Sequence, residues 1–201
     1  MNPPDKSKVK FIKIINNFIE DSDIEKIIKY IDSNLYKFSL DERSIGGHRY
    51  SYRFGKCYAH KDSRENLNDL INIKDVIDKY SQKACSLTKK EFNETNDVIL
   101  ASLWLAKQQS GATVTYHKDI DDGKNPQFKY SAVIYLNTME NSGKLRFPII
   151  NFEYSPIAGD IVIFPSDGVE FYHGVDAINQ DRYTMPMWMT LDKNFELRFS
   201  I

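Results

Sequence analysis

The sequence predicts one α+β domain, with helices in its N-terminal part packed against a C-terminal β core of sandwich or jelly-roll type. Three observations predict it. Two segments in the first half carry apolar residues at helical spacing. Short β-like runs with glycine turns between them crowd the second half. The length, 201 residues, is that of one ordinary domain. The change of texture falls near residue 95, so helical support is expected over about 1–95 and the β core over about 96–201, with no linker between them.

Residues 1–8 read as a polar terminus, and the isoleucine-rich run 11–18 as a short strand. Ser22-Asp-Ile-Glu25 has the form of a capping box, a Ser N-cap with Glu three residues on. Ile24, Ile27, Ile28, Ile31 and Leu35 then form one apolar helix face, ending near Asn34. Segment 40–68 is polar and mixes arginines and aromatics without a helical period, so loops and irregular strands are expected there. A second helix is expected over about 74–92, with Ile73, Ile77, Tyr80, Ala84 and Leu87 on one face. Strands are then expected at 98–108, 113–116, 128–137, 144–147, 160–164, 169–172, 183–191 and 195–199. Turn signals separate them, among them Ser110-Gly111, Ser142-Gly143 and Ala158-Gly159.

Charge and composition exclude several classes. Lys plus Arg is 27 against 28 Asp plus Glu, a net charge of −1. That balance argues against a generally basic nucleic-acid binder and a polybasic membrane anchor. No apolar run approaches the roughly 20 residues of a membrane span, and the start MNPPDKSKVK has no signal-peptide apolar stretch. Cys57 and Cys85 are too few for a disulfide framework. Two reduced thiols suit a cytoplasmic location, whose reducing conditions also keep iron ferrous.

The chemistry concentrates in the C-terminal half. His117 and Asp119 form a His-x-Asp triplet at the end of a strand-like run, where residues two apart share a face. His173 closes another strand-like run 56 residues on. Two imidazoles and one carboxylate make the facial triad of a ferrous site with open positions. A His-x-Asp triplet arises often by chance, so its weight comes from its companions. Arg182 lies nine residues after His173 on a strand. An arginine inside a barrel needs an anion, and its fork matches a carboxylate. Beside a metal at His173 it would hold the far end of a short dicarboxylate.

The ordered set of segments from Trp104 to Asp192 resembles the Fe(II)/2-oxoglutarate dioxygenase superfamily, in its prolyl 4-hydroxylase-like branch. The matching pieces are His117-Lys-Asp119, Tyr130-Ser-Ala-Val-Ile-Tyr135-Leu-Asn137, Ser142-Gly-Lys-Leu-Arg-Phe-Pro148, Pro156-Ile-Ala-Gly-Asp-Ile-Val-Ile-Phe164, His173-Gly-Val and Arg182-Tyr183, with Trp188 six residues after the arginine. The resemblance implies a double-stranded β-helix, a cupin-like jelly roll, with its site at the open mouth. It implies Fe(II) held by His117, Asp119 and His173, 2-oxoglutarate as co-substrate with its distal carboxylate on Arg182, and O2 as oxidant. Tyr135 falls where a tyrosine contacts 2-oxoglutarate in several relatives. Ser142-Gly143-Lys144 departs from the usual Gly-Gly. The tyrosine that often contacts the co-substrate from the strand before the triplet has no clear match, and neither Lys107 nor Gln109 is assigned its role.

The resemblance implies hydroxylation of an aliphatic carbon with release of succinate and CO2. The carboxylate at Asp119 argues against halogenation, since related halogenases keep a small residue there. The expected substrate is a small amino-acid-like molecule or a peptide, prolyl or similar, with no nucleic acid or membrane partner. Two other classes stand beside this reading: a non-catalytic jelly-roll module binding a small molecule, and a cupin-like metalloenzyme that does not use 2-oxoglutarate. The first would make the three ligand-like residues a coincidence, and Arg182 argues against the second, because without a dicarboxylate a barrel arginine lacks a partner. Arg49 and Arg53, in the polar 40–68 segment with Arg43, are candidate substrate contacts. His48 and His60 read as hydrogen-bonded or solvated, Asp121-Asp122 as a turn, and Tyr116 and Trp188 as inward barrel packing.

Overall fold

A computed structural model of the chain describes residues 6–41, 44, 46–55, 67–120 and 125–197. Arg43, Cys57, Tyr58, His60, Asp121 and Asp122 lie outside the described residues, as do 198–199 of the last expected strand. Two antiparallel sheets face each other. The larger has seven strands in the order β1 (Lys13–Ile15), β9 (Ile161–Pro165), β6 (Tyr130–Tyr135), β11 (Arg182–Thr190), β4 (Ile99–Gln108), β3 (Arg49–Gly55) and β2 (Ser39–Leu40). The smaller has β5 (Val114–His117), β10 (His173–Val175), β7 (Leu145–Phe147) and β8 (Phe152–Tyr154). Helices α1 (Asp21–Ser33) and α2 (Lys74–Glu91) cover the outer face of the larger sheet. This is the jelly-roll core with helical support that the sequence predicts.

The period of two along each strand sorts its side chains. On β11, Met185, Met187 and Met189 join Ile27, Ile31, Ile77 and Tyr80 in the core under the helices. Arg182, Thr184, Pro186 and Trp188 alternate with them and line a cavity between the sheets. On β4, Leu103 and Leu105 face the helices, while Ala106 and Gln108 line that cavity. A second core, including Tyr135, Phe147, Val162 and Phe164, fills the space between the sheets.

Several local expectations give way to tertiary contacts. Helix α1 starts at Asp21 with Glu20 as its N-cap, and no side chain caps it, so Ser22 is not the cap. The Tyr80 hydroxyl from α2 braces that end of the helix: it accepts from Glu20 N at 3.1 Å and donates to Asp23 Oδ2 at 3.0 Å. The run 11–18 yields only β1, preceded by a 3-10 helix over Lys6–Phe11. The run at 169–172 is not a strand. It forms a 3-10 turn, Val169–Phe171, and His173 begins β10 instead of ending a strand. Lys193–Phe195 is likewise a 3-10 turn. Among the described residues no helix is long and apolar enough to cross a membrane.

Candidate active site

Strands β5 and β10 place His117 directly opposite His173 in the antiparallel register. Each imidazole is oriented by its own chain. His117 Nδ1 lies 2.7 Å from the Thr115 carbonyl oxygen, and His173 Nδ1 lies 2.8 Å from that of Phe171. A carbonyl only accepts, so both Nδ1 atoms carry the proton and both Nε2 lone pairs face inward, as metal-ligating histidines require. Asp119, two residues past the end of β5, turns its carboxylate between them. Its Oδ1 is 3.5 Å from His117 Nε2 and its Oδ2 is 3.8 Å from His173 Nε2. One ligand atom from each of His117, Asp119 and His173 lies within 4.8 Å of the others, the only such group among the described residues.

The electrostatics keep His173 and Asp119 ready to ligate. Burial lowers His173 to about 4, against the pull of the Asp119 carboxylate, so its imidazole is neutral near pH 7. Burial alone would raise Asp119, but the two imidazoles and the Ser131 hydroxyl outweigh it and hold the carboxyl below its ordinary range. The Phe147 and Phe164 rings pack on His173 at centroid distances of 5.6 and 4.8 Å. The side chains of Asp119 and His173 are 6% and 8% exposed against 40% for His117, so the site opens to solvent past His117.

Arg182 begins β11 opposite Gln108 of β4 and is 4% exposed. Its Nη1 donates to Gln108 Oε1, and its guanidinium carbon lies 5.3 Å from the centre of the Tyr135 ring. Arg182 Nε, Gln108 Nε2 and the Tyr135 hydroxyl are buried without a hydrogen-bond partner among the described residues. Burial pushes Tyr135 up to about 12, opposed by the nearby guanidinium, so its hydroxyl keeps its proton. Unpaired buried donors are costly. A carboxylate brought among these groups would satisfy several together. The donor set thus fits a 2-oxo dicarboxylate reaching from the His117–Asp119–His173 cluster to Arg182, and that cluster fits a ferrous ion.

The cavity joining the two groups opens to solvent and is lined by Arg49, Gln108, His117, Asp119, His173 and Arg182 among others. Arg49 lies across Gln108 from Arg182, and its Nη1 is 3.3 Å from Asp41 Oδ2. Arg53 does not line the cavity. It donates from Nε to Ser51 Oγ at 2.7 Å, and its guanidinium lies 4.8 Å from the centre of the Trp104 ring. Trp188 faces the cavity as expected. Tyr116 does not point inward, which corrects the expectation from sequence. It neighbours His117 on the strand and so takes the opposite face, where it stacks on Tyr172 and donates to Asp176 at 3.1 Å.

Two site residues escaped the sequence reading. Gln108 lies between the unassigned Lys107 and Gln109, and its alternation with Ala106 on the inner face is the signal that could have found it. Lys107 turns outward to Asp32 and Asp181. Ser131 donates to Asp119 Oδ2 at 2.6 Å, and nothing in the local sequence marks it.

Residues 103–190 match the sequence model of the 2OG-Fe(II) oxygenase superfamily. No curated protein matches the chain. Among solved structures, the viral collagen prolyl hydroxylase of Paramecium bursaria Chlorella virus-1, in complex with 2OG, is 16% identical with a TM-score of 0.65, over 91% of this chain and 97% of that one. A Pseudomonas putida prolyl-4-hydroxylase is 18% identical with a TM-score of 0.63, over 93% and 98%. A Trichoplax adhaerens prolyl hydroxylase, in complex with a hypoxia inducible factor oxygen degradation domain peptide fragment, is 16% identical with a TM-score of 0.63, over 94% and 90%. At these identities the likeness is one of fold.

Proposed function

We propose that the chain, whose residues 103–190 match the sequence model of the 2OG-Fe(II) oxygenase superfamily, hydroxylates an aliphatic carbon of a prolyl or other amino-acid-like substrate. The observation that carries this reading is one cavity holding both the two-histidine, one-carboxylate cluster and the buried Arg182. Fe(II), 2-oxoglutarate and O2 supply the oxidising chemistry, which releases succinate and CO2 as a substrate C–H becomes C–OH.

The protein's own residues bind and orient. His117 and His173 offer Nε2, and Asp119 adds the negative charge that favours a divalent cation. Arg182, with the Tyr135 hydroxyl and the Gln108 amide beside it, receives the distal carboxylate of the co-substrate. Phe164, Val175 and Trp188 in the cavity lining keep water from the reacting carbon. The exposed side of His117 is the approach for substrate. Arg49 lies in the lining, which supports a substrate bearing a carboxylate or another acidic group.

The structural relatives named as prolyl hydroxylases, one of them in complex with a peptide fragment, support a peptide or amino-acid substrate. Both cores combine residues from either side of position 95, which supports one domain over 1–201. The buried, unpaired thiol of Cys85 suits a reducing, cytoplasmic setting. The test is succinate release from 2-oxoglutarate with Fe(II) and O2 across a panel of free amino acids and short proline-containing peptides. Stimulation by a member of the panel, with a product 16 mass units heavier as one added oxygen requires, is the expected result. No succinate under any condition would overturn the reading.

A further inference from the structure

Ser131 sits on β6 opposite Trp188 of β11 and Phe164 of β9, 2% exposed and in the cavity lining. Its Oγ is 2.6 Å from Asp119 Oδ2 and 2.7 Å from the Oγ of Ser166, which is also 2% exposed. The proton positions follow from counting. A carboxylate only accepts, so the single proton of Ser131 goes to Asp119. The lone pair of Ser131 then accepts from Ser166. The result is a directed chain, Ser166 to Ser131 to Asp119, which commits Oδ2 to the protein and leaves Oδ1 facing His117 Nε2 at 3.5 Å.

We infer that Ser131, oriented by Ser166, is a positioning residue that holds Asp119 to ligate iron through Oδ1 alone. The inference rests on the metal-site reading above. Its consequence is a matter of coordination number. Two imidazoles and one carboxylate oxygen leave three octahedral positions, enough for a chelating 2-oxo acid and O2 together. A carboxylate turning both oxygens to the metal would take one of those positions. The hydroxyl chain therefore protects the open position as well as the metal's affinity.

The decisive variants are Ser131→Val and Ser131→Thr, which are nearly equal in volume and differ in the hydroxyl. Mn(II) serves as a redox-silent probe, its free concentration read by electron paramagnetic resonance without O2, followed by calorimetric titration of 2-oxoglutarate into the Mn(II)-loaded protein. Ser131→Val should weaken Mn(II) binding by about 10- to 100-fold and weaken 2-oxoglutarate with it, as loss of an outer-sphere partner does. Ser131→Thr should stay near wild type, and Ser166→Ala should fall between the two. Unchanged or tighter Mn(II) binding in Ser131→Val overturns the inference, and so do equal losses in Val and Thr, which would mark a packing effect. Should Ser131→Val fail to fold, Ser166→Ala carries the test, and unchanged Mn(II) affinity there overturns the chain. A wild-type protein that binds no Mn(II), like a His173→Ala control, would instead overturn the metal site itself.

Discussion

His117 and His173 face each other across the β5–β10 pair with ring centroids 4.6 Å apart. Directly opposed residues of an antiparallel pair have Cβ atoms only about 4.5–5.5 Å apart, so the ladder alone brings two imidazoles within reach of one ion. The register then shifts between His173 and Val175, a bulge that ends the regular pairing beside the site. Asp119 enters from the bend after β5 and completes the cluster.

Removing any one of these three candidate ligands should therefore abolish tight metal binding. His117→Ala, His173→Ala and Asp119→Ala should each lose more than the roughly 10–100-fold typical of outer-sphere changes. Equilibrium dialysis against Fe(II) under anaerobic conditions measures this. Full affinity in purified His173→Ala would place the metal elsewhere.

Arg182→Ala should act on the co-substrate and spare the metal. Truncating one partner of a buried charge pair costs about 2–5 kcal/mol, so 2-oxoglutarate binding should weaken by tens- to thousands-fold. Arg182→Lys should keep part of the affinity, because an ammonium supplies charge without the two-pronged fork. Calorimetric titration with 2-oxoglutarate separates the two variants, and an unchanged dissociation constant in Arg182→Ala would exclude its role.

Gly174 is required by packing. A Cβ there would lie 2.7 Å from Cγ of Tyr116 and 2.9 Å from the Val114 carbonyl oxygen. Gly174→Ala should destabilise the fold by about 1–3 kcal/mol, as overpacking does, and weaken metal binding by displacing His173. Adding Tyr116→Ala should recover part of that loss, since only the ring contact is relieved. Chemical denaturation of the two single variants and the pair tests the coupling.

Cys85 on α2 should resist alkylation in the folded protein. Burial pushes its thiol up to about 12. The thiolate is the reactive form, so it becomes populated only as pH approaches that value, and at pH 8 the native residue stays protonated. Peptide mass mapping after iodoacetamide treatment should find Cys85 modified only when denaturant is present. Rapid labelling of native protein at pH 8 would contradict its burial.

Both helices were legible because a helix face repeats within a few residues: Ile24, Ile27 and Ile31 are buried as that spacing demands, and α2 covers nearly the expected span. The metal-ligand candidates and Arg182 were legible for a related reason, since residue type and spacing are written locally. The Ser22 cap failed because α1 begins at Asp21, which puts Ser22 inside the first turn, while the Tyr80 hydroxyl from α2 binds Glu20 and Asp23 at that end. The strand expected at 169–172 failed because an apolar run of that length satisfies a 3-10 turn as well as a strand. The short strand β8 escaped because its three residues carry too little pattern to read.

By itself, then, the sequence determined the α+β class, the order of the main elements and the identity of the groups that meet at the site. The tertiary structure alone decided which groups surround them. Sheet register sets Gln108 between Arg49 and Arg182, and it sets Ser131 under Asp119. Strand alternation turns Tyr116 away from the cavity that His117 enters. The physical reason is that a side chain's face has a period of two, so a one-residue slip in pairing reverses it. Pairing between strands dozens of residues apart is settled by packing across the whole sheet.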